Sequence, residues 1–335
     1  MHGLVRMALA AACVAAVSGP ALAETYSIEG AGASSLTGIV PQTLAQYTAK
    51  EGIDLQVVLG QTLTKSALKT AAKQLDLAVV PPPAFAAMKK GVGPYAGQAD
   101  QAKKLSENVR VLFGFPGGTF HTIVWADSGI EGWDGIKGKR VYIGPPAGAA
   151  GPQIVNMVKV ASGLEEGKDY EGIKAPWGAA QQSFQDGQFD VYIAAAAVGQ
   201  QSLNELSLQR EIRILGIPKD IVASDAWTTY LENYAVDTAD IPAGTYSGQA
   251  NGTQDLQTAV TTMMVATNTD LPDEAAYKIT KAYWDNLAEM KAGNALLRSI
   301  DASRPFAGVN APLHPGALRY YREAGVEVPD RLIAK

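Results

Sequence analysis

Residues 144–153 read GPPAGAAGPQ, between the apolar run RVYIG and the amphipathic run IVNMVKVASGL. A glycine-rich turn from strand to helix leaves main-chain N–H groups free, and the positive helix end favours an anion by about 0.3–1 kcal/mol. The nucleotide-binding versions of such a turn are missing. No GxxxxGK followed by Ser or Thr occurs, and Gly144, Gly148 and Gly151 do not have the GxGxxG spacing. Gly148, Ala149 and Ala150 therefore offer main-chain donors to a solute, with Pro145 beside them as a further contact, or else the loop simply gives close packing of helix on strand.

Other residues suit holding a ligand, each with a structural alternative beside it. Ser34 and Ser35 follow a strand-like segment in EGAGASSLTG, where hydroxyls and free N–H groups can meet a carboxylate. Thr62, Thr64 and Lys65 take the matching place in LGQTLTKS, with helix capping as the other reading. Pro82, within PPP, walls a pocket stiffly or marks a turn. His121 stands just past PGGT as a ligand contact or a buried structural histidine. Trp177 and Gln181, in APWGAAQQ, give an aromatic wall with an amide donor, or core. Tyr246, in PAGTYSGQ, adds a hydroxyl between lobes in chain order.

Catalytic constellations are thin. The histidines are His2, His121 and His314, with no HExxH or HxH, so no zinc motif is present. GxSxG is absent as well. Asp186 and Asp190, in FQDGQFDVY, are the available carboxylate pair, and they read better as a solvated turn and a strand edge. No cofactor is expected.

These residues need elements to hold them. TYSIEGAG, IDLQVVLG and DLAVVPPPAF read as strands, with helices over IVPQTLAQYTAKEG and KSALKTAAKQL between them. Successive βαβ steps imply right-handed crossovers and a parallel sheet. VRVLFGF and HTIVWAD read as two strands separated by PGGT. RVYIG, YEGIKAP and FDVYIAAAAVG then alternate with helices in a second such series. An irregular stretch from Pro218 to Gln249, a strand-like TAVTTMMVAT and long helices finish the chain. The expectation is two α/β lobes, the first over 24–118 plus 235–335 and the second over 119–234. Ligands of open parallel sheets sit beyond the carboxyl ends of the strands, and in two lobes those ends can face each other across a cleft.

Bulk composition fits such a molecule. The chain has 335 residues, 47% hydrophobic and 18% charged, with a net charge of -5. Its basic residues are scattered and form no stripe for a phosphate backbone, so nucleic acid is not an expected partner. Residues 1–23 have the order of a cleavable secretory signal: Arg6, the apolar MALAAACVAAV, then Ala21-Leu22-Ala23 before Glu24. Cys13, the single cysteine, lies inside that segment, so the mature chain is expected to carry no disulfide and no thiol.

Several stretches together resemble the TAXI family, the solute-binding receptors of TRAP transporters. They are ADSGIEGWDGIKGKRVYIGPPAGAAG (126–151), FQDGQFDVYIAAAAVG (184–199), IPAGTYSG (241–248), DEAAYKITKAYWDN (273–286) and LHPGALRYYREAGVEVP (313–329). The resemblance implies a two-lobed type II periplasmic binding protein with crossing hinge strands. It implies a single-copy, non-enzymatic periplasmic receptor that hands a small organic acid to TRAP membrane subunits for sodium-driven uptake. A dicarboxylate such as 2-oxoglutarate, or a glutamate-like amino acid, is the class implied. Three loops depart from the family pattern. GAGASSLTG lacks the aromatics of a GGxYYP-like turn, PAGAAG stands in place of PGSGT, and AAAAVGQQ replaces a glycine-proline pair. A membrane-kinase sensor, or a secreted enzyme using Asp186, Asp190 or His121, are the alternatives.

Overall fold

A computed structural model describes residues 24–146 and 149–334. The signal expected over 1–23 lies outside the described residues. In chain order the strands are β1 (Glu24–Glu29), β2 (Ile53–Val58), β3 (Leu77–Val80), β4 (Val109–Trp125), β5 (Arg140–Tyr142), β6 (Glu171–Ile173), β7 (Val191–Ala196), β8 (Ile212–Ile214), β9 (Val236–Ile241) and β10 (Leu256–Asn268). The helices are α1 (Leu36–Thr48), α2 (Leu63–Ala71), α3 (Pro82–Lys90), α4 (Ala99–Ser106), α5 (Ala150–Ser162), α6 (Trp177–Gln185), α7 (Gln201–Gln209), α8 (Lys219–Val222), α9 (Asp225–Tyr234), α10 (Asp273–Asp285), α11 (Leu287–Gly293) and α12 (Pro315–Glu323).

The strands run in the order β2-β1-β3-β10-β4-β7-β5-β6, with β8 beside β4 and β9 beside β10. β1, β2 and β3 are parallel to one another, as are β5, β6 and β7. β4 and β10 run through both halves. The first part of β4 pairs with the second part of β10, through Phe115↔Met263 to Val109↔Asn268, while the far end of β4 pairs with β7 and β8. The near end of β10 pairs with β9 and its far end with β3. This is the type II periplasmic-binding-protein arrangement, with two α/β halves joined by crossing strands.

The register fixes how the halves face. Val80, closing β3, sits beside Met264, and Ala196, closing β7, sits beside Thr119. The crossing runs through Pro116–Thr119 and Val260–Thr262, where the β4–β10 register slips. The carboxyl ends of both parallel sets therefore point toward the same crossing, and the loops beyond them look into one cleft. Gly117 and Gly118 let the strands approach there. A Cβ on Gly117 would stand 2.5 Å from Thr261 Oγ1, and the Thr261 hydroxyl accepts from the Gly118 N–H at 2.8 Å.

Three expectations need correcting. PGGT does not separate two strands, because its residues continue the ladder and make β4 a single 17-residue strand. The three prolines do not all belong to a turn, since β3 ends at Val80 and Pro82 and Pro83 open α3. A proline has no N–H to lose in a first helical turn. The stretch 218–249 is not irregular throughout, as it holds α8, α9 and β9.

The packing of β9 also moves a lobe boundary. Val236 and Ala259 lie in the second half's core with Phe120, Met157 and Trp227, and Ile241, Tyr246 and Leu256 pack with Tyr142 and Phe184. We therefore place the return to the first lobe near Val260–Thr262, not at 235. Alternation builds the second half's two cores: Val191 and Ile193 face one, Tyr192 and Ala194 the other.

Candidate functional site

Six helices start directly beyond the strand ends that face the cleft: α1, α2 and α3 in the first lobe, α5, α6 and α7 in the second. None of the six has a side-chain cap or an acidic residue in its first turn. Their positive ends are thus not neutralised by the chain itself, and all but α3, which opens on Pro82 and Pro83, also present opening N–H groups. Elsewhere the pattern reverses. The other helices have an acid in the first turn, as in α4, α8, α9, α10 and α11, or a side-chain cap, as in α9 and α12.

In the first lobe, glycines bring the turn tight against α1. A Cβ on Gly30 would stand 2.6 Å from the Thr37 carbonyl, and one on Gly38 would stand 2.3 Å from the Gly32 carbonyl. Ser34 is exposed. Ser35 sits at the cap position of α1 without capping it. Its hydroxyl donates to Gly32 O at 2.7 Å and shares a 2.7 Å bond with Thr37 Oγ1.

Thr62 holds the same position before α2, exposed and without a capping bond. Thr64 follows in the first turn, its carbonyl accepting from Tyr95 Oη at 2.9 Å. Lys65, exposed in that turn, opposes the helix dipole unless an anion is near. Pro82 is buried at the start of α3, and its carbonyl accepts from Asn310 Nδ2 at 2.8 Å.

In the second lobe, Gly144 leaves β5 with φ +97, a conformation that favours glycine. Pro145, Ala149 and Ala150 are half-buried around the start of α5, while Gly148 lies outside the described residues. Trp177 opens α6 with 39% of its surface exposed, edge-on to Tyr142 with ring centroids 5.6 Å apart. The Tyr142 hydroxyl donates to Ala175 O at 2.9 Å, fixing the ring that supports the tryptophan. Gln181 points its amide at α7, donating to Ser202 O at 3.2 Å.

His121 and Tyr246 come together although 125 positions apart. Both are buried, at 0% and 2% exposure. His121 Nδ1 lies 2.9 Å from Thr119 O, which only accepts, so Nδ1 carries the proton and Nε2 accepts from Tyr246 Oη at 2.8 Å. The same Tyr246 oxygen accepts from the Gly199 N–H at 3.1 Å. A chain of hydrogen bonds thus ties the crossing residue Thr119 to the loop before α7. Burial drops the His121 pKa to about 4, against a smaller opposing effect of its bond to Thr119. The ring stays neutral, and burial likewise pushes the Tyr246 pKa up. The two residues satisfy each other and position α7; neither turns its polar atoms to open cleft.

The carboxylate pair considered for catalysis is not joined. Asp190 receives the Arg140 guanidinium, with Nη2 at 2.8 Å and Nε at 3.2 Å, which lowers its pKa. Asp186 is exposed at the end of α6, accepting from Gln182.

Sequence reasoning missed three features of the region. Thr37 is a buried partner of Ser35. Glu29, closing β1, is buried against Ser66 Oγ at 2.6 Å and Lys69 Nζ at 2.7 Å. Arg304 pairs across the crossing with Asp237 on β9. The acid-free first turns were open to reading in the sequence, once the helix starts were placed.

A model described as the NMT1-like family matches residues 41–325 of the chain. Among solved structures, the periplasmic aliphatic sulphonate binding protein SsuA from Escherichia coli is 12% identical, over 90% of this chain and 83% of that one, with a TM-score of 0.47. A TRAP periplasmic solute binding protein from Rhodobacter sphaeroides is 11% identical, over 82% and 81%, with a TM-score of 0.47. A putative sulfonate-binding SsuA from Methylobacillus flagellatus is 12% identical, over 90% and 86%, with a TM-score of 0.49. At these values the strand order, and not the likeness, carries the fold assignment.

Proposed function

The chain belongs to the NMT1-like family, and from that premise we propose that it is a periplasmic solute receptor that closes its two lobes on a small organic anion. One observation carries the reading: six helix starts, uncapped and free of acids, converge on the cleft from both lobes. A micromolar affinity needs about 8 kcal/mol, more than one helix end contributes. Donors from both lobes are therefore required, and closure brings them together.

The partner follows from the resemblance quoted from the sequence and from the signal-like residues 1–23. We assign the receptor to the TAXI type, delivering its solute to TRAP membrane subunits for sodium-driven uptake. In this reading the solute meets Ser34, Ser35, Thr62, Thr64 and Lys65 from one side. Pro145, Ala149, Ala150 and Trp177 approach from the other. Pro82, Gln181, His121 and Tyr246 hold the frame.

The test is a thermal-shift and calorimetric screen of ligand-stripped protein against organic acids. A solute held at 100 times its Kd raises stability by about 2.7 kcal/mol. Stabilisation by an acid, with affinity falling as salt rises, is the expected result. No response across carboxylates, sulfonates and amino acids would remove the receptor reading.

A further inference from the structure

The charges around the cleft say more about the solute than that it is an anion. Resting on the receptor reading above, we infer that this receptor takes an organic acid without an ammonium group and discriminates against amino acids. The six loops that face the cleft, residues 30–35, 59–62, 81–83, 143–146 with 149, 174–177 and 197–201, contain no Asp or Glu among their described residues. The crossing strands β4 and β10 contain none either. The same segments hold two bases, Lys174 and Arg110, although the whole chain has 33 acids and 28 bases.

Of the acids that approach the region, Glu205 is exposed and accepts from the loop residue Gln201 at 2.7 Å, and the others are engaged or stand in water. Glu29 is buried with Ser66 and Lys69 as its partners. Asp237 takes the Arg304 guanidinium and accepts from the Thr238 N–H at 2.8 Å. Glu232 is exposed in the last turn of α9, whose final carbonyl, at Tyr234, accepts from Gln153 Nε2 of α5. Cations stand on both sides instead. Lys65 lies in the first turn of α2, and Lys174 is exposed in the loop before α6.

An amino acid brings a carboxylate and an ammonium into the closed cleft together. The carboxylate finds helix starts and lysines. The ammonium loses its water, meets no free carboxylate, and lies among helix ends that repel positive charge. A keto or hydroxy acid of the same skeleton presents a neutral oxygen at that position and carries no such cost.

The test is isothermal titration of the ligand-stripped mature chain with matched pairs: 2-oxoglutarate and glutamate, oxaloacetate and aspartate, pyruvate and alanine. The amino-free member of a binding pair should bind tighter by about 100-fold or more. Glu232→Gln should leave that affinity unchanged. An amino acid that binds as tightly as its keto counterpart would overturn the inference and leave the receptor reading standing. So would amino-acid binding that disappears in Glu232→Gln. Failure of every acid and amino acid to bind would overturn both.

Discussion

Helix α2 opens Leu63-Thr64-Lys65 behind an idle Thr62 hydroxyl, whereas α10 opens with Asp273 and Glu274. Helix α9 goes further, pairing Asp225 with a Ser224 side chain that accepts from the Trp227 N–H. The second kind of start satisfies its own positive end. The first leaves that end for something else, and it occurs at all six helix starts facing the cleft. Ser35 shows that this is not for want of a suitable residue. Its hydroxyl stands at the cap position and bonds to Gly32 O and Thr37 instead. In the receptor reading proposed above, stability forgone at these starts, about 1 kcal/mol for a missing cap, is returned by a counter-charge from outside.

The sharpest way to break this contrast is to give a cleft helix the start of the other kind. Thr64→Asp should lower anion affinity by two to three orders of magnitude, about 3–4 kcal/mol. The same change should leave unfolding stability unchanged or raise it by about 0.3–1 kcal/mol. Calorimetry and denaturant titration read the two quantities separately. Undiminished binding would show that the α2 start does not meet the solute.

The next effect comes from the buried histidine that anchors α7. His121 titrates near 4 when folded, below the ordinary value of 6.5. The unfolded chain therefore takes up a proton that the folded one refuses as pH falls through that window. Stability due to this group is fully present above about pH 6.5 and falls by on the order of 3 kcal/mol by about pH 4. His314, also lowered by burial, acts in the same sense. Denaturant midpoints measured across this range should fall less steeply in His121→Gln than in the parent.

Tyr246→Phe probes the same anchor at neutral pH. It leaves His121 Nε2 and the Gly199 N–H without their partner, costing about 1–3 kcal/mol of stability. Affinity should fall about tenfold as the α7 start loosens, near 1.4 kcal/mol. Unchanged affinity in a destabilised variant would confine the pair to a structural role. The smallest effect belongs to the contrasting class. Ser224→Ala should cost about 1 kcal/mol of stability and leave affinity unaltered.

Much of the frame was legible in the chain because hydrophobic periodicity and glycine turns are local signals. The alternation of strand and helix placed β1 to β3 and β5 to β7, and with them the loops holding Ser34, Thr62, Ala149 and Trp177. What escaped depends on pairing over distance. PGGT has the composition of a turn, and only its ladder to β10 keeps it in a strand. The boundary near 261 was hidden because β9 joins the second core through residues on β10. Tyr246 was singled out for its hydroxyl, and nothing near it in sequence revealed that it already donates to His121.

The most direct measurement is mass spectrometry of the small molecule released when purified protein is unfolded. The account predicts an organic anion without an amino group, near one per chain, and missing from protein carrying Thr64→Asp. A cationic or neutral solute, or an anion retained equally by the variant, would contradict it.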